Sequence, residues 1–214
     1  DAGLLAFPEV ITIPSLDQGF LVVAQANGFG GIDSNMVLFG WPGDNDVAVG
    51  SLVRHSRQLA LLQKSTMIAR LPEEPPKRGA QLRVWWKGRE HNGDLMLLLA
   101  HLLSISDDWL GCPVVLTSVA SSAPEAADLE RELRLLLESS RIAAQVEVVL
   151  PEEGQGVVDV IHQHSAGAGM VFLGLADVAS GEEVAYADSM LKLASGLPAV
   201  AFVRNGGPFR GRLV

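Results

Sequence analysis

The chain has 214 residues, 48% of them apolar and 19% charged, so it can bury a real core and is not a disordered segment. Sixteen Lys and Arg against 25 Asp and Glu leave a formal charge of −9, which repels nucleic acid and anionic lipid heads. A single cysteine, Cys112, excludes an internal disulfide and a thiolate metal cluster, and it fits a reducing compartment with the cytosol as default.

In chain order, residues 1–13 lack the basic start of a signal peptide and end in a β-branched run, with a strand expected over residues 10–13. A strand, a helix and a strand follow, ending at Arg70. Residues 71–80, with Pro72, Pro75, Pro76 and Gly79, read as a linker. Beyond it, β-branched runs at residues 82–87, 113–119, 145–150, 170–173 and 199–204 alternate with helical patterns at 94–104, 124–141, 157–165 and 183–194. Asp94 is the expected N-cap of the first of these helices. Pro124 suits a first turn, and Leu129, Leu133, Leu136 and Leu137 form one apolar stripe. The longest apolar stretch, residues 95–103, contains His101 and is far short of the roughly 20 residues of a spanning helix, so no membrane insertion by this segment is expected. In a larger parent, such spans would lie upstream.

Five strands and four helices in strict alternation predict an α/β fold, with a mainly parallel sheet and helices on both faces. Consecutive apolar residues at Val114, Val115 and Leu116 fit strands buried on both sides. Right-handed crossovers with helices on both faces require a reversal of strand order, most simply 3-2-1-4-5, with the strand at 82–87 central.

An internal repeat underlies this pattern. A shift of 134 aligns Met36 with Met170, Val37 with Val171, Gly40 with Gly174, Leu59 with Leu193, Ala60 with Ala194 and Arg70 with Arg204. A shift of 137 aligns Pro14 with Pro151, Gln18 with Gln155, Gly19 with Gly156, Val23 with Val160 and Gly30 with Gly167. Residues 1–72 therefore match only the last three strands of the unit that residues 81–205 show complete. The expected organisation is an incomplete first subdomain, 1–76, and a complete second one, 77–214, with about 65 residues of the first copy expected upstream of Asp1.

Chemistry-bearing patterns are sparse. His162 and His164 are two apart on a helix and cannot form an i, i+4 metal pair. His101 reads as a core or boundary histidine, and His55 and His91 lack carboxylate or cysteine partners at metal spacing. GxSxG, GxxxxGK[ST] and GxGxxG are all absent. Cys112 reads as a buried structural thiol, and the acid pairs Asp107/Asp108 and Glu152/Glu153 as solvated surface. The remaining candidate region is the crevice beyond the strand ends at the switch point, formed by residues 88–94 and 174–181. There Gly88, Asn92, Gly93, Asp94, Gly174, Asp177 and Gly181 are anion or nucleotide candidates, because Gly93 and Asp94 at a helix start can present backbone N–H groups. No cofactor, metal or catalytic residue is expected.

Val84, Trp85 and Trp86, then Asn92, Gly93, Asp94 and Leu95, the leucine run to Leu103, Trp109 and Cys112 resemble a block in the cytosolic C-terminal domain of cation-chloride cotransporters. Residues 28–30 with 35–40, and residues 197–204, resemble two further blocks, in the family's order. The chain departs from the pattern at Ser34, where the family has Pro, and at Glu90 to Asp94, where it has a doubled acid before Gly-Gly. It also lacks the long charged insertions of animal members, which points to a prokaryotic homologue. The resemblance implies two universal-stress-protein-like halves in a non-catalytic regulatory domain. This domain would form a homodimer on the cytoplasmic side of the membrane, attached to the transmembrane part of a symporter of chloride with sodium or potassium. The rival reading is a universal stress protein-like binder of adenine nucleotide. That family's GxxG and later G[ST] would fall within residues 174–196, where Gly174, Gly181 and Gly196 occur and Asp177 stands at the second glycine.

Overall fold

The computed structural model describes residues 10–26, 28–29, 32–72, 74, 76–87 and 92–207. After α1 (Leu16–Ala26) and a two-residue hairpin, β1 (Gly28–Phe29) with β2 (Ile32–Asp33), come β3 (Met36–Gly40), α2 (Asp46–Leu61) and β4 (Ser65–Arg70). The second half runs β5 (Gln81–Trp85), α3 (Asn92–Ser104), a 3-10 turn (Asp107–Trp109), β6 (Val114–Val119), α4 (Ala123–Ser140), β7 (Gln145–Val149), α5 (Val157–Ser165), β8 (Ala168–Gly174), α6 (Glu183–Ser195) and β9 (Val200–Arg204). Helix starts are set by local chemistry. The Asn45 side chain accepts the Ala48 N–H at 3.0 Å to open α2, and Ser122 caps α4 just before Pro124.

The second half has the expected order, β7-β6-β5-β8-β9, all parallel, with β5 between β6 and β8. Trp85 and Trp86 bury on opposite faces, as successive strand residues must. On the Trp85 face lie Val49 and Val53 of α2, Val160 and Ile161 of α5, and Ala187 and Met190 of α6. On the Trp86 face lie Leu95, Met96 and Leu97 of α3 and Leu133 and Leu137 of α4.

Three expectations are corrected. The sheet has seven strands, not five, because β4 pairs antiparallel with β9 and carries β3 beyond it, in the order β3-β4-β9-β8-β5-β6-β7. Residues 10–13 are not a strand; Val10 is 97% exposed, since no neighbouring strand accepts its ladder bonds among the described residues. Finally, α3 begins at Asn92, which places Asp94 inside the first turn, where its charge suits the helix dipole.

The repeat organises the junction. The segments α1, β3, α2, β4 and α5, β8, α6, β9 share their order, and Gly40 and Gly174 each end a strand. In the β4–β9 ladder, Ile68 lies opposite Phe202, its own repeat mate at +134. A local two-fold axis normal to the sheet therefore passes between these two residues, and the mates α2 and α6 pack on each other beside it, with Gly50 close against Val184. Trp41 stacks on Phe202 at 5.6 Å over the same axis.

Candidate functional site

A crevice of about 480 Å³ opens at the carboxyl ends of β5, β6 and β8, where the strand order reverses. Its walls are mostly apolar, with Trp85, Trp86, Met96, Leu129, Ile161 and Tyr186 among them. Lys87, Asn92, Ser118 and Glu125 supply the polar groups. The expected residues divide sharply here. Gly88, and with it His91, lies outside the described residues. Asn92 opens α3 and ties it to two strand ends: its Nδ2 donates to the Leu175 carbonyl at 2.8 Å, and its Oδ1 accepts the Asn205 N–H at 2.8 Å. Gly93 lies under the Trp86 indole; a Cβ there would fall 2.6 Å from ring carbon Cη2. Glycine at 93 is thus what allows a tryptophan ring to lie against the start of α3.

Gly174 faces the Asn92 side chain, 3.2 Å from where its Cβ would stand, so Asn92, Gly93 and Gly174 do meet. Asp177 and Gly181 belong to the neighbouring loop and turn away from them. Asp177 is exposed and pairs with Arg204, whose other terminal nitrogen donates to the Ala176 carbonyl. Gly181 takes a left-handed conformation, φ +96°, and donates its N–H to Glu183 Oε2 at 2.7 Å. A bond from the backbone of Glu183 itself, with that from Gly181, lowers the pKa of the Glu183 carboxyl. The Gly181 amide is thus engaged by the protein's own Glu183 carboxylate. Tyr186, absent from the sequence reading, accepts the Ala176 N–H at 3.0 Å through its hydroxyl; burial raises the phenol's pKa. Glu125, also unforeseen, accepts the Ser121 N–H at 2.7 Å; bonds from the Ser121 hydroxyl and amide lower its pKa. The S-x-x-E spacing of Ser122 and Glu125 was the available signal.

Two of the histidines tie elements together. The His162 ring nitrogen lies 2.9 Å from the Leu193 carbonyl, joining α5 to α6, and His164 lies 2.8 Å from Glu147 Oε1. Glu147 also accepts from Arg83 at 2.6 Å, and Arg83 reaches Thr117 at 2.7 Å, a chain across β5, β6 and β7. Cys112 is buried. Among the described residues, no group of His, Cys, Asp and Glu has the geometry of a metal site, and no helix is long and apolar enough to cross a membrane.

No family model matches the chain. Cation-chloride cotransporter 1 of Oryza sativa subsp. japonica is 25% identical over 150 residues, covering 66% of this chain. The solved cytoplasmic domain of a prokaryotic cation chloride cotransporter matches 90% of this chain and 70% of its own, with a TM-score of 0.66 at 16% identity. The chain is similar to the cytoplasmic domain of cation-chloride cotransporters. This cotransporter-like chain spans 15% of the rice protein's length. Its α/β fold is shared more widely: a universal stress protein of Archaeoglobus fulgidus matches 80% of the chain, with a TM-score of 0.51 and 14% identity.

Proposed function

We propose that the chain is a non-catalytic regulatory and dimerisation domain of a secondary transporter that couples chloride to sodium or potassium. It would lie on the cytoplasmic side of the membrane, attached to the transporter's spanning part. The observation that carries this reading is the likeness to a cotransporter cytoplasmic domain along nine-tenths of the chain, together with the likeness in sequence to the rice cotransporter. Asn92, Gly93, Gly174 and Gly181 are engaged by the protein itself. In this reading those residues hold strand ends and helix starts together, and residues 1–76 and 77–214 are the incomplete and complete copies of one unit.

A second reading, adenine-nucleotide binding, is favoured by one observation: an aromatic-walled crevice of about 480 Å³ at the switch point of a stress-protein-like sheet. Calorimetric titration with ATP, with sedimentation at several protein concentrations, separates the two. A dimer that releases no heat with ATP is the expected result. A monomer with micromolar ATP affinity overturns the regulatory-dimer reading in favour of the nucleotide one.

A further inference from the structure

The repeat mates Arg70 and Arg204 end their strands in the same way, yet their side chains are bonded differently. Arg70 donates through Nη2 to the Ala194 and Leu197 carbonyls, which sets its guanidinium at the carboxyl end of α6, where a cation suits the helix dipole. The mates of those two acceptors are Ala60 and Gln63, at the carboxyl end of α2. Arg204 does not bond to them. Gly206 packs there instead, so closely that a Cβ on it would stand 2.2 Å from the Lys64 carbonyl oxygen and 2.9 Å from the Ala60 Cα. Arg204 is thus turned away from the place its mate takes: its Nη1 pairs with Asp177, and its Nη2 donates to the Ala176 carbonyl. Beside it lies a cavity of about 510 Å³, whose walls include Arg57, Ala60, Gln63, Asp177, Arg204 and Gly206.

This cavity brings two guanidinium groups against one carboxylate, in a chain whose overall charge is −9. Arg204 is buried and always charged, and its Nε has no partner among the described residues. Its counter-charge is loosely supplied, because the Asp177 side chain is 97% exposed and solvent screens such a pair. Arg57 pairs with Glu183 at 3.0 Å, but its bonds to the Val178 carbonyl and the Ser180 hydroxyl are both 3.3 Å, long for N–H···O bonds. We propose that the cavity binds a phosphate group, which takes the place of the Asp177 carboxylate on Arg204 and bridges to Arg57. A phosphate group carries about −1.5 to −2 charge at neutral pH and three acceptor oxygens, so it can serve both arginines, whereas the Asp177 carboxylate serves only Arg204. Guanidinium also matches phosphate with paired N–H···O bonds, a geometry that a spherical halide cannot return. Asp177 is then an internal competitor that occupies Arg204 when phosphate is absent. The site lies apart from the switch-point crevice and is independent of both the transport and the nucleotide readings.

The test is an amide NMR titration of the chain with inorganic phosphate and, in parallel, with glycerol 3-phosphate, sodium chloride holding the ionic strength constant. Saturable shifts at the Asp177 and Gly206 amides are expected with both probes. Tighter binding of glycerol 3-phosphate, with a further shift at Ala60, assigns the phosphate to a small molecule that carries it. Binding of inorganic phosphate at least as tight assigns the free ion. Asp177→Asn removes the competitor and is expected to tighten binding about tenfold, a gain that a damaged fold cannot give. Arg57→Gln, at a partly exposed side chain, is expected to weaken it by about tenfold. Shifts that do not saturate overturn the proposal. So do equal shifts from chloride alone, and so does an Asp177→Asn variant that binds phosphate no more tightly than the unsubstituted chain.

Discussion

The two copies of the repeat share an element order and meet at their own mates, Ile68 and Phe202, yet their environments differ. In the second copy, β8 lies between β5 and β9 and is covered on both faces; in the first, β3 is paired on one side among the described residues and its Leu38 is 63% exposed. Similar segments thus differ in burial because of what surrounds them. The consequence is an uneven distribution of stability, with the core concentrated in β5 through β9 and along the β4–β9 ladder.

The largest expected effect sharpens this contrast directly. Phe172→Ala removes a fully buried ring and is expected to cost about 3–5 kcal/mol, whereas Leu38→Ala at the mate position of the 214-residue chain should cost less than about 1 kcal/mol. Urea unfolding of both variants measures the difference, and equal losses would break the comparison.

The chain of Arg83, Thr117, Glu147 and His164 joins β5, β6 and β7 to α5, and none of those three strands has a counterpart strand among the described residues of the first copy; it should carry the next effect. Burial, the largest single influence on Glu147, pushes its carboxyl up, but bonds and charges from Arg83 and His164 outweigh it and leave the pKa below the ordinary value. A carboxyl lowered by folding contributes stability above its unfolded pKa of about 4.3, and that contribution is lost as pH falls through the folded value. Acid below about pH 4.5 should therefore weaken the wild type, and Glu147→Gln should show a shallower loss over that range. At neutral pH, Glu147→Gln should cost about 2 kcal/mol. The deeply buried Arg83 loses its counter-charge, but water reaches the partly open carboxylate side and softens the loss. Thermal melts at pH 3 to 7 check both points.

The smallest effect concerns the mates Arg70 and Arg204. Arg70 donates to the Leu197 carbonyl at 2.6 Å beyond the end of α6, while Arg204 pairs with an Asp177 side chain that is 97% exposed. Asp177→Ala is therefore expected to change stability by less than about 1 kcal/mol, since solvent screens such a pair. A larger loss in the same unfolding assay would show that this loop is more tightly held than its exposure implies.

Much of the fold was legible in the sequence. Residues 157–165 and the start of the helix at Glu183 were placed to the residue, because period-3.6 stripes and unbroken β-branched runs are local signals. The two directions of Trp85 and Trp86 followed from strand geometry alone. The site was legible in location but not in state: chain order put Asn92, Gly93 and Gly174 at the switch point, but nothing local indicated that the Trp86 ring lies on Gly93. The Arg83–Glu147–His164 chain was missed because its members are 64 and 17 residues apart and meet only through strand pairing and the packing of α5.

The sequence by itself determined the alternation of strands and helices, through periodicities within short windows; the order within the second half, through the handedness of crossovers; and the repeat, through comparison of the chain with itself. Tertiary structure alone decided how the two copies join. Whether β4 stays an edge or pairs with β9 depends on backbone groups that are the same in every residue, so no side-chain pattern announces it. It also decided that residues 10–13, β-branched and expected as a strand, remain outside the sheet. A strand is a relation between two segments, and the second segment is what that run lacks.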